Sequence, residues 1–140
     1  MSRSEKEATA IVISQTAEYA LRAMAHLARG GDRPWTNQEI AEATQVPPGY
    51  LAKVMQGLAR AGLIASRRGI RGGFVLSRDP SEITLYEVLQ AVDPIRRITA
   101  CPLGLDEHSE ELCPLHQRLD EAYAFVEKTF RETTLADVAE

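Results

Sequence analysis

Apolar side chains at helical spacing predict an amphipathic helix in the first part of the chain. Within QTAEYALRAMAHLARGG, residues 15–31, they recur every three or four positions, and the pair Gly30-Gly31 ends the pattern. We expect the inner face of this helix to consist of Ala17, Ala20, Leu21, Met24, Leu27 and Ala28.

Two shorter helices separated by a turn are predicted next. Thr36 lies three residues before Glu39, the spacing of a capping box, so one helix begins there and ends near Thr44. Proline suits the first turn of a helix but not its interior, so the other begins near Pro48, and Gly62 ends it. Its apolar face is Leu51, Val54, Met55 and Leu58. Its outward polar side chains are Lys53, Gln56 and Arg60. Such a pair has the dimensions of a helix-turn-helix.

A basic hairpin follows directly. LIASRRGIRGGFVLS, residues 63–77, predicts strands over 63–66 and 74–77 joined by a loop. Three glycines allow positive φ and close approach to a surface, and three arginines supply charge at the tip: Gly69, Gly72, Gly73, Arg67, Arg68 and Arg71. After a helix-turn-helix such a hairpin is a wing, whose arginines can hold phosphates or enter a minor groove. The alternative is a solvated basic hairpin.

The pattern returns to helical spacing after the hairpin. Thr84 and Glu87 have the spacing of a second capping box and begin a helix that Asp93-Pro94 ends. From about His116 a single apolar stripe runs along a charged helix, formed by Leu119, Tyr123, Val126 and Phe130. Such a stripe can fold back on its own domain, but it suits a two-fold dimer at least as well.

Charge is distributed unevenly along the 140 residues, which are enough for one domain with a real core. The net charge is −4, yet residues 32–79 hold more Lys and Arg than Asp and Glu, whereas residues 105–140 are strongly acidic. We expect the two parts to face different partners.

Both cysteines, Cys101 and Cys113, and two of the three histidines lie within residues 101–116, CPLGLDEHSEELCPLH. The opening MSRSEKEATA is too charged for a signal peptide, and no apolar run approaches the roughly 20 residues of a membrane span, so we expect a cytoplasmic protein without a membrane partner. In that compartment a cysteine pair is more typical of a metal or redox site than of a structural disulfide.

An enzyme is not expected. The sequence has no phosphate loop, no dinucleotide fingerprint and no nucleophile elbow. Cys113 with His116 is expected to be a poor hydrolase pair, because neighbouring helical positions seldom align a nucleophile with its base.

Three stretches carry a family resemblance: EYALRAMAHLA, PPGYLAKVMQGLARAGLIASRRGIRGGFVLSRDPSEITLYEVLQAVD, and CPLH followed by a helix ending in TTLADV. In this order they resemble the Rrf-two (Rrf2) superfamily of bacterial winged-helix transcription regulators, whose members include the iron-sulfur assembly regulator IscR and the nitric-oxide-sensing repressor NsrR. The resemblance covers about residues 12–139, and RRGIRGGF with the helix after it is its most specific part.

The resemblance implies a mainly α fold with a small β-hairpin wing, that is, a winged helix-turn-helix plus a long C-terminal dimerisation helix. We expect a disordered tail over 1–11, the DNA-binding domain over 12–93, a sensor loop over 94–116, and the dimerisation helix with a tail over 117–140. Two copies would cross through these helices, and each wing and recognition helix would meet one half of an inverted-repeat operator in double-stranded DNA. A repressor is expected.

The residues expected to contact DNA follow by position. Around the start of the recognition helix they are Pro48, Tyr50, Lys53 and Gln56, and in the wing they are Arg67, Arg68, Gly69, Arg71, Gly72 and Gly73. Tyr50 and Tyr19 can equally be packing residues. Base readout belongs to the helix face, while the lysine and arginines supply phosphate contacts that weaken with salt.

The resemblance also implies a metal centre, with one departure. Cluster-bearing relatives hold three cysteines in this loop, the first and third as far apart as Cys101 and Cys113, but the middle position is Glu107 here. This argues against a three-cysteine 4Fe-4S site. His116 and Glu18 match ligands of the two branches, so a 2Fe-2S cluster is expected across the dimer. Its ligands would be Cys101, Cys113, His116 and Glu18, with His108 or Glu107 as substitutes.

Other interpretations stay open. Glu18 can be an ordinary first-turn acid favoured by the helix dipole. Cys101 and Cys113 can be thiols without a sensing role, a reversible disulfide, or part of a zinc site, since Cys-x2-His is present. A dimeric adaptor that does not bind DNA is the remaining alternative.

Overall fold

Helices form most of the structure, and one hairpin interrupts them. The computed structural model describes residues 13–95 and 113–139. The elements are α1 (Gln15–Arg29), α2 (Asn37–Thr44), α3 (Pro48–Arg60), β1 (Ile64–Arg67), β2 (Gly73–Leu76), α4 (Leu85–Val92), α5 (Pro114–Arg131) and α6 (Leu135–Val138), with a 3-10 turn at Pro80–Glu82. The mainly helical fold with a hairpin wing is confirmed. The proposed tail over 1–11 lies outside the described residues.

Side-chain caps explain where the helices begin. Thr36 and Glu39 form the predicted capping box, each side chain bonding the other residue's backbone N–H at 3.1 Å. Thr84 caps α4 by accepting from the Glu87 N–H at 3.1 Å, but the Glu87 carboxylate pairs with Arg78 instead of returning to Thr84. The second cap is therefore one-sided, and its acid ties α4 to the end of the wing.

The core lies between α1, α2, α3, α4 and the inner face of the hairpin. In α1 and α3 the predicted apolar positions are buried, except that Leu21 and Ala28 are only half-buried. The largest fully buried side chains are Met24, Ile40, Leu51, Met55, Leu58, Ile83, Leu89, Leu135 and Val88. Each such side chain contributes roughly 1.5–3 kcal/mol by leaving water, so this core holds the helix-turn-helix and the wing in place. Within the described ranges no helix is both long and apolar enough to span a membrane.

The C-terminal segment returns to this core. The peptide N–H of Leu85 donates to the Thr133 carbonyl, and that of Leu135 donates to the Ile83 carbonyl, both at 2.9 Å. A bridge joins Thr84 to Thr134, and Leu135 is fully buried. Residues 117–140 were predicted as the dimerisation helix and a tail, whereas α5 ends at Arg131 and the residues after it pack into the winged-helix domain.

His26 on α1 packs edge-on against Trp35, with ring centroids 4.4 Å apart. Burial, followed by the charges of Arg29 and Arg33, lowers the pKa of His26 below 6.5. An unfolded histidine therefore takes up its proton at higher pH than His26 does in the fold. The fold therefore favours the neutral form of the His26 ring against Trp35, and this preference predicts how the stability of the protein depends on pH.

We expect the free energy of unfolding to fall as pH drops below about 6.5, the unfolded pKa, and to go on falling until the folded pKa is passed. Urea unfolding at about pH 7.5, about pH 6 and about pH 5 measures this dependence. The comparison is with His26→Gln, which should flatten this part of the profile. Parallel profiles for both proteins would contradict the assignment.

Candidate nucleic-acid interface and sensor site

The turn between α2 and α3 presents the start of the proposed recognition helix to solvent. Gln45 ends α2 in a left-handed conformation, φ 58°, and the Asn37 side-chain amide donates to the Pro48 carbonyl at 3.0 Å, which ties the two helices together. Pro48, Lys53 and Gln56 are exposed, as predicted. None of them forms an ion pair with another residue of the described part, so this face is available to a partner.

Tyr50 has a packing role. Its hydroxyl is hydrogen-bonded to the hydroxyl of Thr16, and its ring meets Tyr19 edge-on with centroids 5.2 Å apart. The side chain is still 39% exposed. Of the two interpretations left open for Tyr50, the contacts support packing, and they fix the start of α3 against α1.

The wing depends on its glycines. Gly69 and Gly73 have φ of 121° and 150°, a region that side-chain-bearing residues rarely adopt. A Cβ at Gly72 would lie 2.5 Å from the Arg67 carbonyl oxygen, and one at Gly73 would lie 2.5 Å from the Trp35 backbone. Trp35 and Phe74 exchange two backbone hydrogen bonds, of 3.0 and 2.7 Å. These bonds attach the outer edge of β2 to the segment before α2.

The wing arginines are exposed. Arg67, Arg68 and Arg71 form no ion pair within the described ranges, unlike Arg78, which pairs with Glu87. Their charges are thus available to a polyanionic partner. Within the described ranges these arginines do not serve as salt-bridge residues.

Cys113 and His116 lie together at the start of α5. Cys113 is the residue before the first turn, and its Sγ lies 3.1 Å from Nδ1 of His116, which is buried. The expectation that these two side chains would align poorly is wrong, because the side chain of an N-cap residue lies beside that of the third helical residue. Since α5 begins at Pro114, His116 belongs to the helix and not to the loop predicted over 94–116.

The remaining proposed ligands are placed less completely. Cys101, Glu107 and His108 lie outside the described residues. Glu18 forms an ion pair with Arg22 at 2.8 Å within α1. In the two described ranges no three metal-binding side chains come together.

Several apolar side chains of α5 are exposed among its charged ones. Leu119 and Tyr123 of the predicted stripe are exposed, at 42% and 36%, and Val126 and Phe130 are half-buried. Phe125 lies beside the predicted stripe and was not part of the prediction, yet it is 72% exposed and, with Val126 and Phe130, lines an apolar cleft of about 250 Å³. Its place directly before Val126 was a usable signal, because a partner helix covers more than one residue per turn.

The chain matches known proteins along nearly its whole length. Residues 13–140 match the family model "Rrf2: Iron-dependent Transcriptional regulator". A protein of Aquifex aeolicus named as an HTH-type transcriptional regulator is 32% identical over 131 residues, which is 91% of each chain.

Two solved structures share the fold. CymR, described as the global cysteine regulator of Bacillus subtilis, is 29% identical with a TM-score of 0.76, covering 91% of this chain and 95% of that one. IscR of T. potens is 24% identical with a TM-score of 0.73, covering 94% of this chain and 88% of that one.

Proposed function

Because the chain belongs to the Rrf2 family of DNA-binding transcriptional regulators, which are not enzymes, we propose that its affinity for DNA is controlled at the Cys113–His116 pair. Family membership removes the adaptor interpretation as well as the enzymatic one. The contact between this thiol and this imidazole at the first turn of α5 is the observation that carries the proposal.

The proposed DNA surface is the outward face of α3 together with the wing. Lys53 and Gln56 are exposed on the helix, and Arg68 and Arg71 are exposed on the hairpin. The helix reads base edges, whereas the cations hold phosphates and release counterions. Binding as a homodimer to an inverted repeat would repress transcription from the overlapping promoter.

Dimerisation is proposed through α5. Leu119 and Tyr123 are exposed on the apolar stripe of this helix, which Val126 and Phe130 continue. Phe125 widens the apolar area beside Val126, where the two line one cleft. An apolar stripe of this kind on a long exposed helix is typical of a two-fold interface, in which each copy covers the same patch of the other.

The donor chemistry at the pair fits a metal centre. A thiolate sulfur and an imidazole nitrogen bound to one tetrahedral metal lie roughly 3.5 Å apart, and the observed distance is 3.1 Å. Cys113 and His116 would hold an iron-sulfur cluster with Cys101, and Glu18 of the partner subunit would complete the set. When bound, such a cluster would supply a redox-active iron centre that can give up an electron to a small oxidant.

Control of DNA binding would pass through both ends of α5. Cys113 lies at one end, and beyond the other the Thr133 and Leu135 backbone bonds attach the chain to α4 and the segment after the wing. Fixing the first turn of α5 would therefore fix the spacing of the two winged domains in the dimer, and releasing it would let the spacing vary.

Cys113→Ala is expected to abolish the visible chromophore of protein purified without oxygen and to change operator affinity roughly 5- to 150-fold. Absorption and EPR spectra, with iron and sulfide assays, measure the first effect. Titration of a duplex selected by the wild-type protein from a random pool measures the second.

Arg118→Gln is the matched control, since it breaks only an exposed ion pair with Glu121 on the same helix. Sedimentation should show a dimer for both variants. Unchanged affinity of Cys113→Ala in every state would refute the proposal.

A thiol switch is the second candidate, favoured by the likeness to the global cysteine regulator CymR. Cys101 and Cys113 would form a disulfide, giving two electrons and two protons to a small oxidant such as a peroxide. Colourless protein without iron, whose operator affinity changes with peroxide and recovers with dithiothreitol, would select this candidate over the cluster. Bound zinc in place of iron would select the zinc site instead.

A further inference from the structure

Ile70 is exposed without a structural reason. In the described ranges, most exposed large apolar side chains lie on the last two helices, namely Leu115, Leu119, Tyr123, Phe125 and Val138. Two others, Tyr50 and Ile70, lie on the proposed DNA surface, and Tyr50 is explained by its contacts with Thr16 and Tyr19. Ile70 has a relative accessibility of 105%, so it packs against nothing in the described part of the fold.

The geometry of the wing tip holds this side chain outward. The Gly72 N–H donates to the Gly69 carbonyl at 3.0 Å, which closes a turn with Ile70 and Arg71 at its two corners. Turn corners favour glycine, proline and small polar residues, whereas a β-branched apolar residue gains nothing there locally. Its stiff side chain loses little conformational freedom when a partner covers it.

The surroundings of Ile70 indicate the partner. Arg68 and Arg71 flank it, both exposed and without an ion pair in the described part of the chain. A cleft of about 440 Å³ separates the tip from Arg33 and Thr36 at the start of α2, so the tip stands clear of the domain. The partner must be negatively charged on its outside and apolar within reach of the tip. The DNA minor groove, about 6 Å wide and walled by deoxyribose C–H groups between two rows of phosphates, meets both conditions.

We propose that Ile70 enters the minor groove at the outer end of each half-site and is a specificity-determining residue. Arg68 and Arg71 contact the flanking phosphates, while the isoleucine packs on the sugars and on the floor of the groove. Guanine carries an amino group on that floor and adenine does not, so Ile70 favours A·T pairs at this step. The inference rests on the DNA surface proposed above.

The test uses the full chain and a duplex selected by the wild-type protein from a random pool. Ile70→Ala is expected to weaken binding about fivefold, since part of the buried apolar area is lost. It should leave the salt dependence unchanged, because isoleucine releases no counterions, whereas Arg68→Gln should lower the slope by about one phosphate contact. Val138→Ala, which truncates an exposed aliphatic side chain of α6, should bind like the wild type.

Base analogues then locate the contact. At the step protected by the wing in a hydroxyl-radical footprint, A·T is replaced by I·C, which lacks the guanine amino group, or by G·C. The wild type should bind A·T and I·C equally and G·C more weakly, and Ile70→Ala should bind all three alike.

Where the wild type does select an operator, three outcomes would overturn the inference. The first is that Ile70→Ala binds the operator as tightly as the wild type does. The second is that Ile70→Ala loses the same affinity, relative to the wild type, on the A·T, I·C and G·C duplexes. The third is that replacing thymine with uracil weakens wild-type binding as much as Ile70→Ala does, which would place Ile70 on a thymine methyl in the major groove. If the wild type selects no sequence at all, the proposed operator recognition is wrong, and the inference about Ile70 is wrong as well. A selected operator with an indifferent Ile70→Ala overturns only this inference.

Discussion

Replacing Leu135 with alanine is expected to lower the free energy of unfolding by about 2–5 kcal/mol. The side chain is fully buried in the same cluster as the core residues of α1, α3 and α4. Truncation removes its apolar contacts and leaves a cavity that the backbone bonds on both sides keep from closing. Equilibrium urea unfolding, compared at equal m-values, measures the loss.

Val138→Ala is the control for this prediction, since it lies on the same short helix but is 44% exposed. Its effect should stay within about 0.5 kcal/mol. A loss of similar size in both variants would mean that α6 fails as a unit and that Leu135 is not a core residue. If Leu135→Ala were as stable as the wild type, the C-terminal segment would not be part of the winged-helix core. The proposed attachment of the chain after α5 to that core would then also be wrong.

The role of Leu135 could not have been predicted from periodicity, whereas the helices around it could. The inner faces of α1 and α3 repeat over three or more turns, and Thr36 with Glu39 is a local signal that the fold satisfies. The helix of Leu135 spans only four residues and contains too little pattern to show which face is buried. Its burial depends on the pairing of Thr84 with Thr134, two residues far apart in sequence.

The two parts of the candidate site differ in the same way. The wing was predictable because glycines and arginines at fixed spacing act through backbone geometry and charge, and both are local properties. The contact of Cys113 with His116 could also have been predicted, because an N-cap residue and the third helical residue meet once the helix is known to begin at Pro114. For Tyr50 a packing role was one of two interpretations, but its partners Thr16 and Tyr19 could not be identified because they lie on another helix.

Gly73→Ala tests how the wing is held in place. We expect this substitution to weaken operator binding about tenfold or more, which is a loss of about 1.4 kcal/mol of binding free energy. At φ 150° an alanine is strained, and its Cβ would lie 2.5 Å from the Trp35 carbonyl group and 2.9 Å from the Thr36 nitrogen. Both are backbone atoms that cannot turn aside, so β2 must move away and lose its two bonds to Trp35. We expect the free energy of unfolding to fall by about 2–4 kcal/mol from strain and lost hydrogen bonds together.

The comparison with Gly31→Ala separates displacement of the wing from the backbone strain of a substituted glycine. Gly31 also has positive φ, 77°, but beyond its chain neighbours no atom lies within 4 Å of the position that a Cβ would take. Alanine there costs only the local strain of roughly 1–2 kcal/mol. The operator affinity of Gly31→Ala should then match that of the wild type. Binding is measured at a temperature where circular dichroism shows that the wild type and both variants are folded. If Gly73→Ala bound the operator as tightly as Gly31→Ala, the position of the wing would not matter for recognition. A selective loss in Gly73→Ala instead ties affinity to the attachment of β2 at Trp35, because the arginines themselves are unchanged.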